Sequence, residues 1–318
     1  MTNRPSCLAS KDRLPFVAGG FLCHLLSANG FIRLGLSFLS LMLLVSTAQA
    51  SESLKLTSWN MDWLTLRPAN DHALPADAPT RTAADFAALR HYAAKLHSDV
   101  LAFEEVDSLE AAQQVFPAED YDLYITPDHI TQRVGLAVRR DAGLTVTINP
   151  EVTALNIPQH GRHYPLRGGM DVTLQKRSSS LRLLVVHLKT GCWAQPLTAK
   201  KRACTLLYEQ FHVIENWILD RLDDGIPFAI LGDFNRRLTP ADPLMQALQS
   251  DARLTLTTAG YTSPCRRHGE LFIDHILLGN RARDWFIPGS LRVMTFRDAE
   301  KGLTLSDHCP VSIQMQLP

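Results

Sequence analysis

Phe228-Ala229-Ile230-Leu231-Gly232-Asp233-Phe234-Asn235 is an apolar run cut short by a glycine, after which a carboxylate and an amide stand two residues apart. A short apolar run bounded by a turn signal reads as a buried strand, and polar residues placed where it stops leave the sheet at its rim. Upstream, Thr198–Asp220 carries Leu206, Phe211, Ile214, Trp217 and Ile218 on one broad face and exits through Gly225-Ile226-Pro227. That is the pattern of a long helix with a stop signal.

The same alternation of elements extends in both directions. Leu54–Asn60 (LKLTSWN) alternates apolar and polar residues, the period of a strand buried on one face. A loop with Pro68, Pro75 and Pro79 follows, and Thr80 is placed to cap a helix whose Phe86, Leu89, Ala93 and Leu96 share one stripe. Val100–Phe103, Val134–Val138, Leu181–Leu188, Phe272–Leu278 and Pro310–Met315 supply further strands. Strands of both patterns interleaved with two long helices imply an α/β protein of sheets packed face to face and covered by helices. No repeat, low-complexity tract or Gly/Ser linker divides residues 51–318, which read as one domain.

Composition narrows the class. Of 318 residues, 46% are hydrophobic and 20% charged, and 32 basic side chains balance 32 acidic ones. A disordered chain, a collagen and a small disulfide scaffold are excluded, as is a histone-like protein held to DNA by bulk charge. CxxC, HExxH, G-x-S-x-G and the P-loop pattern are all absent, so zinc sites, serine hydrolases and P-loop enzymes have no support.

Residues 1–50 stand apart. Leu34–Val45 is an apolar run with Arg33 before it and Ala48-Gln49-Ala50 after it. A membrane span needs roughly 20 apolar residues, so the run fits a signal peptide cleaved near Ala50 better than an anchor. The expectation is export to the periplasm or the cell exterior, with no stable membrane anchor after cleavage. Residues 51–318 then carry 28 basic and 31 acidic side chains, so any polyanion must meet a local patch. Cys192, Cys204, Cys265 and Cys309 remain. Cys192 and Cys204 are the expected disulfide, because they bracket a short segment leading into a helix and closing such a loop is worth about 2–4 kcal/mol.

Chemistry gathers where strands end. In order come Trp59-Asn60-Met61-Asp62, Phe103-Glu104-Glu105-Val106, His187, Gly232-Asp233-Phe234-Asn235, Ile273-Asp274-His275 and Ser306-Asp307-His308-Cys309-Pro310. One Asp after a strand is usually a turn residue and one His usually a satisfied core or surface residue. Six such sites in one chain are a different matter. Oxygen donors at Asn60, Asp62, Glu105, Asp233, Asn235 and Asp307 suit Mg²⁺, with Mn²⁺ or Ca²⁺ as alternatives. Imidazoles beside carboxylates add acid/base capacity near neutral pH.

In order, SWNMD, LAFEEV, HLK, LGDFN, IDHILL and LSDHCPV resemble the motifs of the endonuclease/exonuclease/phosphatase superfamily, the metal-dependent phosphodiesterases that include DNase I. The resemblance runs from about Leu54 to Pro318 and suggests a secreted bacterial-type member; GDFN with SDHCPV is its most specific part. It implies a four-layer α/β sandwich with the site at one rim of two packed, mainly antiparallel sheets. It places Asn60, Asp62, Glu105 and Asp307 at the metal, and Asp233 and Asn235 at the attacking water and the phosphate. Asp274 and His308 match a carboxylate–imidazole pair, and His187 matches the second histidine of the DNase I-like branch. Arg167 matches a phosphate-binding Arg, with Arg162 nearby. Two departures stand out: Gln132 occupies the place of a Glu partner for His187, and Glu104 replaces the usual Gln, reading as a strand-end surface carboxylate.

The chemistry supports that reading independently. A phosphodiester repels a nucleophile, so a cation, an Arg and an imidazolium must neutralise charge as the pentavalent state forms. A nuclease is the first expectation, acting as a monomer on nucleic acid. Lys200-Lys201-Arg202, Arg236-Arg237 and Arg266-Arg267 are the basic clusters, and Arg236 is the chosen backbone contact because it directly follows GDFN. Alternatives are a phospholipid or sphingomyelin phosphodiesterase, with Trp63 and Leu64 as membrane-facing candidates, a phosphomonoesterase, or a catalytically inactive binding protein.

Overall fold

The computed structural model describes residues 52–158, 166–265, 270–296 and 302–318. The leader expected over residues 1–50 with its cleavage point at Ala50, as well as Arg162 and Arg266-Arg267, falls outside that set. Along the chain come β1 (Glu52–Leu64), α1 (Ala83–Leu96), β2 (Val100–Val106), α2 (Leu109–Val115), β3 (Tyr121–Ile125), β4 (Arg133–Arg139), β5 (Thr145–Ile148) and β6 (Met170–Lys176). They are followed by β7 (Ser179–His187), α3 (Arg202–Asp223), β8 (Phe228–Asp233), α4 (Pro243–Asp251), β9 (Leu254–Leu256), β10 (Asp274–Gly279), α5 (Ala282–Trp285), β11 (Arg292–Val293) and β12 (Val311–Leu317).

The strands form two six-stranded sheets, ordered β11-β12-β1-β2-β4-β3 and β5-β6-β7-β8-β10-β9. Each sheet holds one parallel pair, β1 with β2 and β7 with β8, and its other neighbours are antiparallel. A parallel pair needs a long crossover, which α1 and α3 supply. The two sheets share one topology, in which a parallel pair joined by a long helix is followed by a short helix, an edge strand and an inner strand. The expected mainly antiparallel sandwich is what the chain forms.

Alternation along the strands builds three cores. Leu54, Leu56, Val100, Ala102, Leu183, Val185, Ala229, Leu231, Ile276 and Ile313 pack between the sheets. The intervening residues face outward: Trp59, Leu101 and Phe103 meet Leu89, Tyr92 and Leu96 of α1. On the other side Leu184, Val186, Phe228 and Ile230 meet Phe211, Ile214 and Trp217 of α3. Helix, sheet, sheet and helix therefore make four layers.

Both long helices start later than the sequence expectation. Thr82, not Thr80, caps α1: its hydroxyl accepts from the Asp85 N–H and the Asp85 carboxylate accepts from the Thr82 N–H, a capping box that Thr80 is too far upstream to make. The long helix starts at Arg202 rather than Thr198 and runs on to Asp223. Its start is pinned by a disulfide between Cys204 and Cys192, with 4.9 Å between their Cα atoms, as expected from the sequence.

Gly232 shows how closely the sheet is built around GDFN. Its φ is +142° and a Cβ there would lie 1.9 Å from the Val186 carbonyl oxygen in the paired strand. Gly232→Ala is expected to destabilise the protein by about 3 kcal/mol or more, read as a lower denaturation midpoint, whereas an exposed substitution moves it by about 0.5 kcal/mol or less.

Candidate active site

The inward-facing positions that are apolar in the middle of the sandwich become polar at one rim. Leu54 and Leu56 lead to Ser58 and Asn60; Val100 and Ala102 lead to Glu104. Leu183 and Val185 lead to His187, Ala229 and Leu231 to Asp233, and on the reversed strand β10 Leu278 and Ile276 lead back to Asp274. Because β10 pairs antiparallel with β8, Asp274 lies directly opposite Asp233. Period-two alternation therefore brings residues from five strands to one place.

Glu105 has the wrong parity, and backbone irregularity corrects it. Glu105 has φ +59°, and Asp62 and Trp63 have φ +50° and +56°, where the pairings of β2 and β1 slip. Such bulges redirect side chains at functional rims. The turned backbone frees carbonyl groups that a buried cation collects. The Arg81 guanidinium donates to the carbonyls of Met61 (2.9 Å), Asp62 (2.7 Å) and Trp63 (3.0 Å), and to that of Leu305. Arg81 thereby ties the exit of β1 to the segment carrying Asp307 and His308. Nothing in the sequence marked it, since an Arg in a Pro-rich loop carries no periodic signal.

Asp233 is the hub. Its Oδ2 accepts from Asn60 Nδ2 (3.2 Å) and Asn235 Nδ2 (3.1 Å), and its Oδ1 accepts from the Asn235 N–H (2.8 Å). His187 Nε2 stands 3.7 Å away and His308 Nε2 3.9 Å away. Burial raises the Asp233 pKa to about 7, Asp274 and Glu105 adding to the rise while His308 and the Asn235 N–H oppose it.

The two histidines are held in opposite states. Burial works against charge on His308, but Asp274, whose oxygens lie 2.8 and 3.0 Å from Nδ1, together with Asp233 and Asp307, outweighs it and lifts the pKa to about 10. His308 is an imidazolium at neutral pH. His187 is pushed well below its ordinary value, first by burial and then by the Arg167 cation. Arg167 Nη1 lies 2.5 Å from His187 Nδ1. A guanidinium has only donors, so Nδ1 accepts and the ring proton sits on Nε2, facing Glu105 Oε1 at 3.4 Å. Arg167, rather than Gln132, is therefore the histidine's partner, and its charge lowers the pKa that the missing Glu would have raised.

The candidate cation ligands are neighbours in the same region. Asn60 Nδ2 donates to Glu105 Oε1 (3.1 Å), and the Asp62 N–H donates to Asn60 Oδ1 (2.9 Å). Burial, Asp307 and Glu105 lift the Asp62 pKa to about 6 against the pull of Arg81 and His308. Carboxylates that crowd one another in this way fit a hard divalent cation that would relieve the repulsion. Asp233, Asp274 and His308 also lie close enough to share an ion, but His308 Nδ1 is already committed to Asp274, so they read better as an ion-paired triad.

Other expectations need correction. Glu104 is not at the surface: it is fully buried beneath the site, accepting from Ser58 Oγ at 3.2 Å with its second oxygen unpartnered. Burial, then Asp274 and Asp233, raises its pKa well above the ordinary value. In its protonated form it would offer one donor and one acceptor, as the amide of a Gln does. Arg236 cannot reach a substrate. It is 1% exposed, pairs with Asp242 at 2.7 Å and donates to the carbonyls of Cys192 (3.0 Å) and Gln195 (2.8 Å). Leu64 is buried against α1 rather than presented to a membrane, and Trp63 is half-buried. A second disulfide joins Cys265 to Cys309, next to His308.

No family model matches the chain, and neither does any curated protein. Solved structures do. Truncated Caenorhabditis elegans TDP2 aligns with a TM-score of 0.57 at 15% identity, covering 83% of this chain and 98% of its own. An endonuclease/exonuclease/phosphatase family protein from Bacteroides thetaiotaomicron gives 0.54 at 15%, covering 83% and 98%. A variant of the 3′ phosphatase NExo from Neisseria, bound to a product DNA hairpin, gives 0.52 at 17%, covering 83% and 99%. At these identities the likeness is one of fold.

Two outcomes follow from the geometry. Arg236→Ala strands a buried Asp242 and is expected to cost about 3–5 kcal/mol in chemical denaturation while leaving KM unchanged in protein that remains folded. For His308 the folded pKa of about 10 exceeds the ordinary 6.5, so its stabilisation is complete below pH 6.5 and is lost as pH rises through about 10. Chelator-treated protein should lose a few kcal/mol over that interval, on the order of a shift of this size, and His308→Gln should flatten the decline.

Proposed function

We propose that this chain, whose fold is that of the endonuclease/exonuclease/phosphatase (DNase I-like) superfamily, is an exported, divalent-metal-dependent phosphodiesterase acting on nucleic acid. The observation that carries the proposal is a buried carboxylate, Asp233, 3.9 Å from an imidazole that Asp274 braces at 2.8 Å. The oxygen donors Asn60, Asp62, Glu105 and Asp307 surround that pair. Export is supported by the leader pattern of residues 1–50 and by two disulfides, which are compatible with an oxidising compartment. Among the described residues no helix is long and apolar enough to cross a membrane.

Each side chain has a task that its surroundings suit. A cation held by Asn60, Asp62, Glu105 and Asp307 would supply Lewis-acid neutralisation of the phosphate. Asp233 takes the proton of the attacking water, for which a pKa near 7 is well matched. Asn235, whose φ of +49° turns it back over Asp233, helps orient that water. His308 keeps its charge throughout and opposes the negative charge developing on the phosphoryl and leaving oxygens. His187 presents its Nε2–H as a neutral donor, while Arg167 holds it in that tautomer and adds positive charge behind it. One fold relative is a 3′ phosphatase bound to DNA, which favours a second reading, a phosphomonoesterase acting on DNA ends.

Purified protein incubated with supercoiled plasmid and Mg²⁺ is expected to nick it, EDTA is expected to stop the reaction, and His308→Ala to lower kcat by at least about 10²-fold. Phosphate release from a 3′-phosphorylated oligonucleotide without nicking would replace the first reading by the second. Neither activity, in folded protein, would sink both.

A further inference from the structure

A cleft of about 690 Å³ opens beside the site. Ser306 and Asp307 form its inner wall, and Trp193, Arg237, Glu270 and Leu271 are among the residues that line it. Trp193 is 41% exposed and belongs to none of the three cores. An indole left in water on a mobile loop would be unremarkable, but the backbone that carries this one is fixed. Cys192, the preceding residue, is bonded to Cys204, and its carbonyl accepts from the buried Arg236 at 3.0 Å. The Trp193 carbonyl accepts from the Arg237 N–H at 2.8 Å. The Arg237 guanidinium lies 5.9 Å from the indole centroid and pairs with Glu270 at 3.2 Å. The other wall is stapled too, since Cys265 and Cys309 both line the cleft and are joined. Rigid backbone on both sides with an apolar ring face between them is the construction of a binding surface.

We propose that Trp193, backed by Arg237, is a stacking platform for a nucleobase of the substrate, placed beside the scissile phosphate. The cleft has the volume of a small-molecule site. Its lining mixes an aromatic ring and aliphatic side chains (Leu271, Ile273) with a cation and a carboxylate, which suits a planar heterocycle bearing donors and acceptors. An acyl chain would leave Arg237, Glu270 and Thr295 unsolvated without return. A base must leave its own stack to reach the ring, so single-stranded, frayed or underwound nucleic acid, a supercoiled plasmid included, is preferred to relaxed duplex. The inference rests on the nucleic-acid reading of the neighbouring catalytic site.

Binding separates the two. With Ca²⁺ present, calorimetry compares dAMP with deoxyribose 5-phosphate, which carries a hydroxyl in place of the base, on native protein, Trp193→Ala and Trp193→Phe. The native protein is expected to favour dAMP by about 5- to 100-fold, the range of one base stacked on an aromatic side chain. Trp193→Ala should erase that preference and Trp193→Phe should keep most of it. Equal affinities on native protein, or a preference that survives Trp193→Ala, would overturn the assignment, as would tighter binding of dihexanoyl phosphatidylcholine than of dAMP. If the protein cleaves no phosphodiester, the catalytic reading fails, while this comparison still decides the role of Trp193.

Discussion

One buried carboxylate, Asp233, sets the terms for its surroundings. A charge withdrawn from water must be paired and hydrogen-bonded or it will neutralise. Here two amides donate to it, an imidazolium stands on one side, and Arg167 lies behind His187 on the other. Asp274, Glu105, Asp62 and Asp307 add more negative potential in the same region. That excess explains why His308 stays charged, why the Glu104 pKa is pushed up, and why a divalent cation suits the rim. The opposite states of the two histidines come from what touches each: carboxylates around His308, a guanidinium beside His187.

The fold assembles this cluster by doing the same thing twice. Each sheet joins one parallel pair through a long helix, so the carboxyl ends of β1, β2, β7 and β8 arrive at one rim. Open α/β sheets bind ligands at such ends because the crossover loops leave a crevice there. The antiparallel strand β10 and the segment before β12 then enter from the opposite direction with Asp274 and His308. Rigidity follows the same logic. Arg81 gathers the carbonyls freed where β1 bulges, and Arg236 and two disulfides hold the walls of the adjoining cleft. In this molecule several of the buried cations hold backbone in place.

Most strands and both long helices could be read because their periods are local. A run such as LRLLVVHL announces itself within eight residues. Short or half-exposed elements, among them β3, β5, β9 and β11 with α2, α4 and α5, are not legible in the sequence, since they exist by pairing or packing with distant partners. The helix cap was misplaced by two residues for a related reason. Thr80 and Thr82 are both competent, and only Asp85 three residues beyond Thr82 completes a box.

By itself, the sequence determined that this is an α/β sandwich with oxygen and imidazole donors at the ends of its strands, because alternation and residue chemistry are properties of neighbours along the chain. It also contained the Cys192–Cys204 loop, whose closure is local. The tertiary structure alone decided what each charged group does. Arg236 follows GDFN in sequence yet turns into a buried pair with Asp242, and Glu104 lies beneath the site rather than on the surface. Arg167 reaches the His187 ring, and Arg81 closes the rim. Charge, burial and hydrogen bonding depend on what meets across the fold, and residues as far apart as Arg81 and Leu305, or Asp274 and His308, meet only once both sheets have formed.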